Sequence, residues 1–325
     1  MSDNTQAVRV EARTVGTVAV IGTGVIGASW ASNFLAAGLT VRATDPADGA
    51  EDKLRAAIAA HWPALCEIGL ADGADPARLT FHATAEEAAD GADFVQENGP
   101  ERADMKRTLF AALDEAAPAH AILATSTSTI MVSEFQDACA KGPDRVVLGH
   151  PFNPPHLIPL VEVGGGKATA PDAVARAIAF YRAIGKHPIH LKREARGHVS
   201  NRLQIALWKE AFHIVQSGIA SVEDVDAAIA HGPGLRWALL GPFLNIHLSG
   251  GAGGIRGLLE GPLGAATTGM FPELETPTVD AALIDALAAG VDEELATRDT
   301  AAMMEARNRL LIQLVRDKKA ATDLP

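Results

Sequence analysis

An apolar run, Val18-Ala19-Val20-Ile21, enters the glycine pattern Gly22-Thr23-Gly24-Val25-Ile26-Gly27, and an acid, Asp45, stands eighteen residues beyond the last glycine. The run predicts a buried strand that ends in a tight turn. A helix is expected from about Gly24 to Ala37, and the alternating stretch Leu39–Thr44 predicts a second strand ending at Asp45. Each part suits one piece of a dinucleotide. Gly22 permits the turn, Gly24 lets the backbone approach a pyrophosphate, and Gly27 lets helix and strand pack closely. The N–H groups of Gly24, Val25, Ile26 and Gly27 would point at the phosphates from the helix start. A carboxylate at Asp45 would bind ribose hydroxyls and repel an added phosphate, so the expected cofactor is NAD rather than NADP.

At 325 residues the chain has room for two domains and a sizeable core. A formal charge of −12 makes nucleic acid or an anionic membrane an unsuitable partner. Cys66 and Cys139 have neither metal-ligand spacing nor a disulfide pattern, which predicts no metal site and a reducing, cytoplasmic setting. The segment Met1–Val15 is polar and lacks the apolar core of a targeting signal, and no apolar run approaches a membrane span.

Strand and helix signals alternate up to about Arg193. Helices are expected at Ala50–Gly69, Glu101–Ala116, Val132–Ala140 and Asp172–Ile184. Strands are expected at Leu79–His82, Asp93–Gln96, Ala121–Ala124, Arg145–Leu148, Leu160–Val163 and Pro188–Leu191. That order predicts an α/β fold with a doubly wound, mostly parallel sheet over residues 1–195. Only helical periodicity follows, at Ser200–Ser217, Val222–His231, Val279–Leu287 and Thr300–Lys319, so residues 196–325 should form an all-helical second domain. A glycine-rich stretch between Leu248 and Pro277 reads either as a mobile cover or as a surface loop.

Moving a hydride from an alcohol to NAD requires a base for the proton and donors for the oxygen. Four segments supply candidates. Thr125-Ser126-Thr127-Ser128-Thr129 follows a predicted strand, at the edge where open α/β sheets bind ligands, although a helix-capping turn has the same composition. His150, in Gly149-His150-Pro151-Phe152-Asn153-Pro154-Pro155, is the natural base because its free pKa lies near neutrality. Glu162 lies inside the apolar run Leu157–Val163, where a carboxylate needs a partner, and His150 is a suitable one. Asn201-Arg202 opens the first helix of the second domain, placed either to reach a substrate or to cap the helix.

Together these motifs resemble the L-3-hydroxyacyl-CoA dehydrogenase superfamily, from Val18 to about Leu248. The likeness is most specific at His150-Pro151-Phe152-Asn153-Pro154, Leu160-Val161-Glu162-Val163 and Asn201-Arg202-Leu203. The resemblance implies that His150 is the base, Glu162 its partner, and Ser128 and Asn201 the groups that hold the substrate oxygen. It likewise implies that Glu101 is the nicotinamide-side acid and Lys106 a cofactor-binding lysine; otherwise both read as exposed charges in the first turns of a helix. Pairing of two chains through the helical domain is implied too, and Met303, Met304, Leu310, Leu311, Leu314 and Val315 supply an apolar stripe for it. Two departures stand out. His198 occupies the phenylalanine position of Pro-Gly-Phe, adding a second histidine that competes for the role of base, and Thr129 stands where serine or glycine is commoner.

The segment Gly232-Pro233-Gly234-Leu235-Arg236-Trp237 resembles the branch that contains lambda-crystallin (L-gulonate 3-dehydrogenase) and L-carnitine dehydrogenase. The resemblance places Arg236 toward the substrate, and a guanidinium grips a free carboxylate by two points. Only Lys53 and Arg55 carry fixed positive charge in Glu51–Glu67, a poor surface for the phosphates of CoA. Trp237 and Phe243 are candidate faces for a trimethylammonium group, or core residues of the helical domain. The expected activity is NAD-dependent oxidation of a free L-3-hydroxy acid such as gulonate, carnitine or 3-hydroxybutyrate. A CoA-ester dehydrogenase and a crystallin-like, cofactor-binding structural protein are the alternatives.

Overall fold

A computed structural model describes residues 15–324. Its first part is one eight-stranded sheet in the order β3-β2-β1-β4-β5-β6-β7-β8. The strands are β1 Thr17–Ile21, β2 Thr40–Thr44, β3 Leu79–Phe81, β4 Phe94–Glu97, β5 Ile122–Thr125, β6 Val146–Pro151, β7 Leu160–Gly165 and β8 His187–His190. All neighbours run parallel except β6 and β7. The order reverses between β1 and β4, the point where such sheets open a crevice for a ligand.

Side-chain alternation divides the core between the two faces of the sheet. Val18 and Val20 face one layer with Trp30, Phe34, Leu54, Phe180 and Tyr181, carried by helices α1 (Val25–Ala36), α2 (Ala50–Ile68) and α5 (Pro171–Ala183), while α3 (Ala85–Ala89) and α4 (Ala103–Ala116) lie on the opposite face. Ala19 and Ile21 face the other layer, with Ala88 and Ala89 of α3 and Phe110 and Leu113 of α4.

The expected helix at Val132–Ala140 is instead two 3-10 turns, Val132–Glu134 and Gln136–Ala138. Tertiary partners take the groups a longer helix would use. Arg107 donates to the Glu134 carbonyl at 3.0 Å, and the Ser133 N–H donates to Glu194 at 2.9 Å.

The chain divides into two compact units between Arg202 and Leu203. After the sheet come helices only: α6 Ser200–Gln216, α7 Val222–Ala230, α8 Pro233–Trp237, α9 Pro242–Ser249, α10 Gly254–Glu260, α11 Pro262–Gly269, α12 Ala281–Leu295 and α13 Thr300–Ala320. The glycine-rich stretch is therefore not a plain loop: it holds the whole of α10 and α11. Its glycines mark helix boundaries and close packing. Gly261 caps α11 ahead of Pro262, and a Cβ on Gly264 would stand 2.3 Å from the Leu259 carbonyl oxygen.

Candidate active site

The glycine turn has the form the sequence predicts. Gly22 adopts φ +84°, and a Cβ on Gly27 would lie 1.9 Å from the Gly22 carbonyl oxygen, so turn and helix meet only through glycine. At Gly24 a Cβ would meet nothing within 4 Å, so among the described residues none covers that face of the turn. Helix α1 has no capping side chain and no acid in its first turn, which leaves the N–H groups of Val25, Ile26 and Gly27 for an anion. Asp45, at the end of β2, accepts from the Thr23 N–H at 2.7 Å and the Ala47 N–H at 2.9 Å, which fixes its carboxylate beside the turn. These residues fit a dinucleotide.

Glu97, at the end of β4, is fully buried. Both its oxygens accept from the Lys106 ammonium at 2.8 Å, and Thr125 Oγ1 donates to it at 2.6 Å. Lys106 thus corrects the reading of an exposed charge. It is buried and its charge is met by Glu97, with Glu101 4.0 Å away. Glu101 does reach the serine loop. Its Oε1 accepts from Thr127 Oγ1 at 2.7 Å and from the N–H groups of Ser128 and Thr129 at 2.8 and 2.7 Å. Burial opposes its charge, yet these bonds and the nearby ammonium hold its carboxyl below the usual carboxylate range.

His150 and Glu162 face each other across the antiparallel pair β6–β7, in direct register. Cross-strand neighbours share one face of a sheet, which is why two residues twelve positions apart meet. His150 Nδ1 lies 2.8 Å from Glu162 Oε2, and Nε2 lies 3.1 Å from Ser128 Oγ. Glu162 also accepts from the N–H groups of Val199 and Ser200, at 2.8 and 2.9 Å, and from Ser200 Oγ at 2.8 Å. Burial alone would raise its pKa; the bonds from His150, Ser200 and Val199 bring it down to about 2. An ionised carboxylate only accepts, so Nδ1 carries the imidazole proton and Nε2 keeps its lone pair toward Ser128. Asn201 is half-buried in the first turn of α6, one residue after Ser200.

His198, the competing histidine, is occupied otherwise. It is buried at φ +52°, and its Nε2 donates to the Thr127 carbonyl at 2.9 Å. Its ring centre lies 4.9 Å from that of His150. Burial pushes its pKa below the ordinary value, against the pull of the Thr127 carbonyl. The departure from phenylalanine therefore ties the serine loop to the turn before α6.

Ser200 and Glu97 were missed from the sequence. Glu97 follows a polar Gln96 and only two apolar residues, Phe94 and Val95, so it lacked the signal that marked Glu162. Ser200 reads only as a helix start. Arg236, in the helical unit, is exposed on α8 and pairs with no carboxylate among the described residues.

Comparison with known proteins identifies the lineage. Residues 17–195 match the NAD-binding domain of 3-hydroxyacyl-CoA dehydrogenase and residues 197–291 its C-terminal domain. An L-carnitine dehydrogenase of Streptomyces griseus subsp. griseus is 50% identical over 302 residues, 93% of this chain and 90% of the relative. One from Streptomyces coelicolor is 47% identical over 93% of this chain and 94% of its own. Among solved structures, the NAD-dependent dismutase 5-formyl-3-hydroxy-2-methylpyridine 4-carboxylic acid 5-dehydrogenase superposes with a TM-score of 0.79 at 26% identity, covering 94% of this chain and 99% of that one. The chain belongs to the 3-hydroxyacyl-CoA dehydrogenase family and is an NAD-dependent oxidoreductase.

Proposed function

We propose that this enzyme oxidises the 3-hydroxyl of a free L-3-hydroxy acid, L-carnitine first among them, to the 3-oxo acid. The observation that carries the chemistry is the line Ser128–His150–Glu162, with bonds of 3.1 and 2.8 Å. His150 Nε2 takes the hydroxyl proton, and Glu162 stabilises the imidazolium that results. Ser128 and Asn201 hold the substrate oxygen as charge develops on it. NAD, when bound, accepts the hydride from the carbinol carbon. Gly22, Gly24, Val25, Ile26, Gly27, Asp45, Glu101 and Lys106 are the residues to hold it, in a domain of residues 1–195. Residues 196–325 serve substrate binding and dimerisation.

Three observations favour a free acid over a CoA ester. The relatives at 50% and 47% identity are named for L-carnitine, a free carboxylate with a trimethylammonium group. The structure at TM-score 0.79, matched over 99% of its own chain, is named for a carboxylic acid. On α2, Arg55 is paired with Glu51 at 2.7 Å, which leaves Lys53 as the one fixed positive charge of Glu51–Glu67 without a carboxylate among the described residues, too few for the phosphates of CoA. Arg236 then binds the carboxylate. Trp237 and Phe243, exposed at 45% and 74%, offer their faces to the ammonium. NADH formation with L-carnitine, gulonate and 3-hydroxybutyrate in parallel tests the substrate. Carnitine is expected to give the highest kcat/KM, and no turnover of any free acid would overturn the reading.

Cofactor choice follows Asp45. Catalytic efficiency with NAD should exceed that with NADP at least about tenfold, roughly 1.4 kcal/mol of discrimination. Asp45→Ala should narrow the gap, and equal efficiencies in the unmutated enzyme would contradict it.

The working form is a cytoplasmic homodimer. Helix α6 buries no residue within the single chain, and Leu203, Ile205 and Trp208 are exposed at 59, 55 and 47%. On α13 only Ile312 is buried, and Met304 and Leu310 stand 56 and 61% exposed. Apolar surface of that extent on helical faces asks for a partner. Sedimentation at micromolar concentration should give twice the chain mass, and a monomer would reject the pairing.

A further inference from the structure

A line of buried and part-buried amides and hydroxyls runs across the sheet beneath the candidate site, and none of its members belongs to the reactive set. Gln96 on β4 is fully buried, with Tyr181 of α5 below it. The Tyr181 hydroxyl donates to Gln96 Oε1 at 2.6 Å. Gln96 Nε2 donates in turn to Ser126 Oγ at 2.8 Å and to the Gly149 carbonyl at 3.1 Å. Ser126 Oγ donates to Asn98 Oδ1 at 2.7 Å, and Asn98 Nδ2 donates to the Gln96 carbonyl at 2.9 Å and to the Ile21 carbonyl at 3.4 Å. A carbonyl can only accept, so the Gly149 contact fixes which way the Gln96 amide points. Burial raises the Tyr181 pKa well above its ordinary value, which keeps the hydroxyl a donor.

The ends of this line are the three segments whose relative placement the reaction needs. Ile21 leads into the glycine turn, Ser126 belongs to the serine loop, and Gly149 directly precedes His150. Gly149 is itself shaped by the brace, since a Cβ there would stand 2.0 Å from the Tyr181 hydroxyl oxygen. We propose that Gln96, braced by Tyr181, is a positioning residue that holds the glycine turn, the serine loop and the His150 strand in register for hydride transfer. The proposal rests on the reading of His150 as the base. A line of like-oriented donors is stiff because each bond polarises the next. Misplacement of reacting groups by about 1 Å costs roughly a hundredfold in rate.

The test compares Gln96→Met, Tyr181→Phe and the double variant, using whichever 3-hydroxy substrate the wild-type enzyme turns over, with hydrogen or deuterium at the carbinol carbon. Gln96→Met should lower kcat roughly ten- to a hundredfold, leave KM and NAD affinity (by tryptophan fluorescence) within about threefold, and raise the deuterium isotope effect on kcat/KM. Tyr181→Phe should lose less, because both Gln96 donor bonds remain. The double variant has no hydroxyl left without an acceptor, so it should regain thermal stability lost in Gln96→Met while staying slow, with the raised isotope effect. A brace that serves stability alone predicts the reverse. Its kcat would recover with the unfolding midpoint, and the isotope effect would never move. That result, or wild-type kcat in folded Gln96→Met, overturns the proposal. If Gln96→Met does not fold, the double variant decides by the same two readings. A wild-type enzyme inert toward free acids would refute the proposed substrate class and leave the variant-to-wild-type ratios to be read with the ester.

Discussion

His150→Ala is expected to lower turnover by roughly 10²–10⁴, the range for a positioned acid–base group, with NAD affinity nearly unchanged. The affinity is spared because His150 lies on β6, whereas the glycine turn and Asp45 lie on β1 and β2. Glu162→Gln should lose much of the same activity. It removes the charge that stabilises the imidazolium, and it turns an acceptor of four hydrogen bonds into an amide, in a site built from three donors of Val199 and Ser200. The pH dependence follows. Glu162 stays ionised down to about pH 2, so it does not titrate where the enzyme is assayed. Any pH dependence of kcat/KM in that range therefore reports a group other than Glu162. His198→Ala should be milder, because its Nε2 is already committed to the Thr127 carbonyl. Steady-state kinetics over pH on the three variants decide the assignment. If His198→Ala were the more damaging histidine change, His150 would not be the base.

The second large effect is expected at Arg236. Arg236→Met should raise KM for the free acid roughly ten- to a hundredfold, corresponding to charge-assisted hydrogen bonds worth about 1.5–3 kcal/mol. The guanidinium meets no carboxylate of its own among the described residues, so a substrate carboxylate would not have to displace one. Binding of NAD should be unaffected. Arg236→Lys should rescue only in part, since it keeps the charge and loses the planar fork. A silent Arg236→Met would remove the carboxylate contact from the account.

What the sequence made legible was local or forced. The glycine turn, α1 and Asp45 follow from residues within one βαβ unit, and they stand where the spacing predicts. The His150–Glu162 pair was legible because a carboxylate in an apolar run needs a partner, and the sheet register then brings the two together. The Gln96–Tyr181 line was not legible. Its members stand 85 positions apart, and a glutamine in a strand carries no signal of what lies beneath it. The Lys106–Glu97 pair was not legible for a related reason: the partner sits on the preceding strand and draws a lysine in the first turn of a helix inward. The glycines of 248–277 looked like a loop by composition, yet they serve as caps and close contacts between short helices, roles that composition does not distinguish.

The most direct test of the central claim is a side-by-side kcat/KM of L-carnitine and (S)-3-hydroxybutyryl-CoA with NAD as acceptor. A free-acid dehydrogenase should favour carnitine, or another free 3-hydroxy acid, at least about tenfold, because a site built for a carboxylate leaves its guanidinium unpaired with a thioester. A preference for the CoA ester over every free acid tried would contradict the account and assign the enzyme to the ester branch of its family.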